Sequence, residues 1–271
     1  MSERLQILLT NDDGILSPGL WAAAAALSEL GYVTVAAPRE QVSAAGRSLP
    51  RIYDGRIERT TLTIAGQDWP VYAVGGTPAQ AVQHAVLEIM PRLPDLVVSG
   101  INYGENVGLS ITASGTVGAA FEAAIIGIPA IAVSLQIFST DYLTYHELDF
   151  TPAAFFTQLL ARMLLNSRQN KDFSKDVDLL KIDVPASATT KTPWRVTRLA
   201  RHRYFFPVPK RPVAWDQPYY IDGAPQVTRE EVEPDTDVYA MVFDQVVSVT
   251  PISLDMTSRV DLAQLEQTLR S

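Results

Sequence analysis

Residues 5–14 read LQILLTNDDG, and this stretch decides the fold. LQILLT is a continuous apolar run of strand length without polar alternation, the pattern of a strand buried on both faces. It stops on Asn11, Asp12, Asp13 and Gly14, residue types that close strands and form turns. Working outward, residues 18–30 (PGLWAAAAALSEL) are helical, with proline at the start and Gly31 just past the end. Residues 32–37 form a second strand, and residues 77–90 (TPAQAVQHAVLEIM) a helix entered through Thr-Pro. A third strand at 96–99, a helix at about 114–126 and a fourth strand at 130–134 follow. Apolar strands separated by helices predict an α/β fold: a Rossmann-like, mostly parallel sheet covered by helices on both faces.

The remaining chain has a different texture. Residues 49–74 alternate in shorter runs (TLTIAG, WPVYAV), as a small antiparallel extension would. A helix is expected at 150–165, strands at 179–184 and 245–252, and a final helix at 259–270. Residues 201–218 (RHRYFFPVPKRPVAWDQP) mix prolines, aromatics and cations and read as an extended arm. The chain is read as one domain, with a core over about 1–190 and the arm and C-terminal segment over about 191–271. Residues 116–135 are apolar enough for a membrane span. Glu122 and the break at Gly127-Ile128-Pro129 instead predict a helix, a turn and a buried strand. The first ten residues are too short for a signal peptide, so a cytoplasmic protein with no membrane partner is expected.

With 271 residues, 47% hydrophobic and 19% charged, the composition is globular. The absence of cysteine excludes disulfides, thiolate metal sites and cysteine nucleophiles. Twenty-two Lys and Arg against thirty Asp and Glu leave a net charge of −8, which argues against stable nucleic-acid binding. One phosphate group held locally is still compatible with it.

In open α/β sheets ligands bind beyond the carboxyl ends of the strands. Asp12 and Asp13 stand at the first such end. They are either an ordinary turn or a site for a hard divalent cation, which would relieve their repulsion. The second strand leads to REQVSAAGRS, where Ser43 is a loop serine or a neutral oxygen for the same cation. The third leads to SGINYGENVG, whose glycines allow close backbone approach to a ligand. Ser114-Gly115-Thr116 then opens a small-residue helix, as a plain N-cap and as a cradle for phosphate.

Taken in order, ILLTNDDGILSPGL, AAPREQVSAAGRSL, GGTPA, VVSGINYGENVG, SGTVGAAFEA and IPAIAVSL resemble the SurE family, the survival-protein-E nucleotidases. PDTDVYA and VVSVTPISLD fit that family's closing segment, so the resemblance spans nearly the whole chain. It implies a metal-dependent phosphatase acting on nucleoside monophosphates at the 5′ and often the 3′ position. It also implies a homodimer or homotetramer that exchanges the C-terminal arm. By matching position, Asp12, Asp13, Ser43 and Asn102 would hold one divalent ion per subunit, magnesium or manganese, with calcium a further candidate. Asn106, Ser114, Gly115 and Thr116 would meet the phosphate, with Asn11 close by. Asp12 and Asp13 would also carry the catalysis. The chain departs from the family pattern at Arg39, Gln80-Ala81 and Ala113, positions that bear on base preference and the pocket walls. The competing readings are a phosphatase that forms an aspartyl phosphate and a nucleotide-binding assembly module without catalysis. His84, His146 and His202 fall where structural or surface roles are expected.

Overall fold

The computed structural model describes residues 4–137, 148–169, 174–207, 213–219, 221 and 223–271. The opening strand, β1 (Gln6–Thr10), is flanked by two parallel neighbours, β2 (Tyr32–Pro38) and β5 (Leu96–Tyr103). Beyond β2 lies the antiparallel hairpin of β3 (Ile57–Ile64) and β4 (Gln67–Val74), joined through β4, which runs parallel to β2. Beyond β5 come β6 (Ala130–Leu135) and β7 (Leu179–Val184), both parallel. The sheet then takes in β11 (Val247–Ile252) antiparallel to β7, and β8 (Trp194–Val196) lies outside it, parallel to β11. A separate two-stranded ribbon pairs β9 (Phe205–Pro207) with β10 (Gly223–Pro225).

The unalternated sequence of β1 follows from cover on both faces. Ile7 and Leu9 point into one cluster with Leu20 and Trp21 of α1 (Pro18–Ser28) and Phe156 and Leu160 of α4 (Thr151–Gln169). Leu8 points the other way, into a cluster with Val82 of α2 (Pro78–His84) and Val117 and Ala120 of α3 (Gly115–Ile125). All three strand side chains are fully buried. Each contributes roughly 1.5–3 kcal/mol of transfer free energy. Because the chain leaves β1 for β2 on one side and later returns to β5 on the other, a crevice opens at the carboxyl ends of β1 and β5.

Several boundaries differ from the sequence expectation, each for a local reason. β5 continues past residue 99 to Tyr103. Its ladder with β6 shifts register after Ser99 and resumes at Asn102 and Ser134, with Gly100 at φ +133° in between. The helix expected over 77–90 is α-helical only to His84 and ends in a π-helical turn, Ala85–Ile89. Thr77 caps it by a reciprocal bond with Gln80. The apolar window at 116–135 is indeed α3, a turn and β6, and no described helix is long and apolar enough to cross a membrane. The stretch read as an arm is packed where it starts. Tyr204 is buried with Val107, Ala200, Val232, Val238 and Met241 in a small third cluster. Residues 208–212 of that stretch lie outside the described residues, and Trp215 is exposed. The final helix, α5 (Leu262–Arg270), is capped by Asp261 and buries none of its residues.

The loop after β2 is fastened to α3. Gly46 N–H donates to the Ala113 carbonyl at 2.9 Å, and Arg47 reaches the buried Glu122 at 2.7 Å. At Gly118 a Cβ would sit 2.1 Å from the Gly46 carbonyl oxygen, so helix and loop touch backbone to backbone. Gly118→Ala gains up to about 1 kcal/mol of helix propensity. The clash outweighs it, and urea denaturation is expected to show a net loss of roughly 1–3 kcal/mol. A stabilised variant would show that the contact is not tight.

Candidate active site

Asp12 and Asp13 lie side by side at the crevice, each only 6% exposed. Successive residues point to different supports. Asp12 turns toward the start of α3, where the Thr116 hydroxyl donates to Oδ1. Its carboxylate is so close to Gly115 that a Cβ there would stand 2.7 Å from Oδ2, so only glycine fits. Asp13 turns toward β5. Its Oδ2 accepts from Tyr103 N–H at 2.9 Å, and its Oδ1 accepts from Gln41 Nε2 at 3.4 Å. Burial pushes the Asp12 carboxyl above its ordinary range, against the opposing pull of the Thr116 hydroxyl and of amides at the helix start. Burial and then the charge of Asp12 push Asp13 up to about 7.

A cleft of about 320 Å³ opens over this pair. Asp12, Asp13, Ser43, Asn102, Asn106 and Ser114 all line it, so six of the nine expected site residues come together although they come from three separate strand ends. Ser114 is the N-cap of α3 and accepts from Val117 N–H at 3.1 Å. A hydroxyl that accepts in this way retains its own proton to donate. Asn102 Nδ2 donates to the Gly104 carbonyl at 2.6 Å, and Asn106 Nδ2 to Ser134 Oγ at 2.9 Å. The other three stand behind the wall. Asn11 spends its amide on Gly14, donating to the carbonyl at 3.0 Å and accepting from N–H at 3.2 Å, which shapes the turn that presents Asp12 and Asp13. Gly115 and Thr116 face Asp12.

The cleft also has walls that were not singled out in the sequence. Gln41 and Tyr103 line it beside Asp13, and Glu105, Phe205 and Gly223 line it further out. Glu105 is buried and accepts from Tyr204 O–H at 3.0 Å. Burial raises its carboxyl above the ordinary range. Glu105 and Gln41 stood inside quoted motifs, but nothing in their spacing marked them. Phe205 and Gly223 reach the cleft only because β9 and β10 fold back over it. Neither His84 nor His202 lines the cleft. His84 faces Glu88 at 3.3 Å, and His146 lies outside the described residues.

Known proteins resemble the chain over nearly its whole length. A family model described as survival protein SurE matches residues 7–205. A protein named 5'-nucleotidase SurE from Methanosarcina barkeri is 42% identical over 271 residues, covering 97% of each chain. One of the same name from Thermococcus gammatolerans is 43% identical over 266 residues, covering 98% of this chain and 96% of its own. Among solved structures, the SurE protein from Aquifex aeolicus superposes with a TM-score of 0.74 at 29% identity, over 97% of this chain and 99% of that one. All the cleft-lining residues except Gly223 fall within the matched region, and the chain belongs to the SurE family.

Proposed function

We propose that the chain is a 5′-nucleotidase that hydrolyses nucleoside monophosphates to nucleoside and phosphate, with 3′-monophosphates as a second substrate class. The observation that carries this reading is the pair of adjacent, buried carboxylates at the crevice, ringed by neutral oxygen and amide groups. The comparisons add relatives named for that activity. Two carboxylates bring two negative charges to a site meant for a phosphate dianion, which only a cation makes accessible. The donor set is all oxygen, so it suits a hard divalent ion, magnesium or manganese rather than zinc. Among the described residues no cluster of three or more His, Cys, Asp or Glu offers an alternative. Asp12, Asp13, Ser43 and Asn102 would hold one such ion per subunit, which would supply charge neutralisation and polarisation of a phosphoryl oxygen.

The protein groups do the rest. Ser114 donates its free hydroxyl proton to a phosphate oxygen at the N-terminus of α3, where the helix favours negative charge. Asn106 donates the second amide proton left after its bond to Ser134. Gly115 and Thr116 act through Asp12, fixing the carboxylate they face. Asp13 Oδ1, which accepts the long contact from Gln41 and lines the cleft, would take the proton of the attacking water. Phe205 and Glu105 wall the outer cleft, where the nucleoside would lie. The aspartyl-phosphate alternative needs a second carboxylate two residues on and a late lysine at the site. Neither Gly14 nor Lys181 meets this, since Lys181 is fully buried in ion pairs with Asp183 and Asp237.

We further propose that the chain works as a homo-oligomer built through its C-terminal segment. On α5, Leu262, Leu265 and Leu269 recur at helical spacing and are all exposed, as is Trp215 in the arm. A second copy of the chain covers such a face at no cost in new surface chemistry.

Three measurements test these readings. Asp12→Asn is expected to keep its circular dichroism spectrum and lose on the order of 10³-fold or more in kcat, as wild type does under chelation. Undiminished turnover without divalent ions would overturn the scheme. The raised Asp13 carboxyl also has a consequence for stability. The metal-free native state keeps a proton between about pH 4 and 7 that the unfolded chain has released, so stability falls as pH rises through that window. Fully ionised, the penalty is on the order of 4 kcal/mol. Metal-free Asp13→Asn should therefore melt above wild type at pH 8, the two should converge near pH 4, and added divalent ion should favour wild type. Coincident melting curves at pH 8 would contradict this. Light scattering is expected to show a dimer or larger species, shifting to monomer when residues 261–271 are removed. An unchanged mass after that truncation would remove α5 from the interface.

A further inference from the structure

Behind the cleft, and used by no step above, three charged side chains meet in a space closed to solvent. Lys181 and Asp183 project from β7, and Asp237 opens the helical turn that runs into the π-helical segment Tyr239–Phe243. None of the three exposes any side-chain surface. The Lys181 ammonium is ion-paired with Asp183 Oδ2 and lies 3.1 Å from Asp237 Oδ2. Burial alone would pull this ammonium down, but the two carboxylates outweigh it and hold it above its ordinary value.

The outer sides of both carboxylates hold backbone of the cleft loop. Asp183 Oδ1 accepts from Asn106 N–H at 3.0 Å, and Asp237 Oδ2 accepts from Gly108 N–H at 3.0 Å. Asp237 Oδ1 in turn accepts from Ala200 N–H at 2.9 Å and Val238 N–H at 2.8 Å. Asn106 is therefore held at two points by neighbours across one strand pair, since Ser134 of β6 takes its side chain and Asp183 of β7 its main chain. We propose that Lys181, Asp183 and Asp237 are positioning residues for hydrolysis, a buried three-charge brace that sets where Asn106 presents its amide to the phosphate. This inference rests on the reading of Asn106 as a phosphate contact.

Stability alone is a poor reason for such a cluster, because apolar residues of similar volume commonly serve as well. What apolar residues could not do is grip two amides of one loop through carboxylates that share a single cation. The brace also ties the cleft to a segment far along the chain, so Asp237 belongs functionally to the site although it lines none of it.

A double-mutant cycle on the full chain separates positioning from folding. Asp183→Asn places an amide nitrogen against the Lys181 ammonium or against Asn106 N–H, so one grip is lost. We expect kcat/KM for a nucleoside monophosphate to fall roughly 10–100-fold, with a raised KM. Calorimetric affinity for manganese should stay within about twofold, because the proposed ligands are untouched. Asn106→Ala should show a similar loss, and Asn106→Ala/Asp183→Asn should be no worse than Asn106→Ala alone. Fully additive losses, or an Asp183→Asn enzyme with wild-type kcat and KM, would overturn the brace. If Asp183→Asn does not fold, Lys181→Met/Asp183→Asn removes one charge of each sign and leaves Asp237 its three backbone donors, and the same cycle is read on that background. Full activity in Asn106→Ala would instead overturn the phosphate-contact reading beneath it.

Discussion

Two like charges forced into neighbouring positions with almost no water are the constraint around which this molecule is organised. Asp12 and Asp13 follow the end of β1, and sequence adjacency allows neither to move away from the other. The fold responds by sending them to different supports. Asp12 receives the start of α3, and Asp13 receives a backbone amide of β5. These donors offset part of the burial cost without cancelling it, since both carboxyls remain above their usual range. The site is thus left electrostatically incomplete in the direction of the cleft. Stability alone would favour replacing one of the pair, so the presence of both is a cost that function accounts for.

Much of this was legible in the sequence because its signals are local. An unalternated run followed by Asn-Asp-Asp-Gly identifies a doubly covered strand and a polar end whatever follows, and Ile7, Leu8 and Leu9 divide between the two faces as that reading requires. The N-cap at Ser114 was likewise readable from residue types alone. Placement at a strand end already offered Ser43 to the same cation, whereas Asn102 and Asn106 were singled out by the family resemblance and not by spacing. What escaped were contacts decided at long range. Nothing local says that Tyr204 bonds Glu105, or that Asp237 closes on Lys181. Asn11 shows the opposite failure. A polar residue in the right motif has its amide committed to the turn it belongs to.

Glycine carries the close packing that makes the site possible. The approach of α3 to Asp12 depends on the missing side chain at Gly115, and the seating of the loop that carries Ser43 depends on the one at Gly118. Both lie in the same first turns of a helix rich in alanine, so a single short segment sets two distances at once. The arm contributes from the far side, where Phe205 and Gly223 roof the cleft. Core, loop and ribbon therefore meet over one small volume.

The placement of β11 has an implication for synthesis. It lies between β7 and β8, yet both of these precede it in the chain. Until residues 247–252 have left the ribosome, β7 shows an unpaired edge and β8 has no neighbour to dock on. An emerging chain must keep that edge from annealing to other nascent strands. Closure of the sheet is thus a late event in the birth of the protein, however early its first βαβ unit forms.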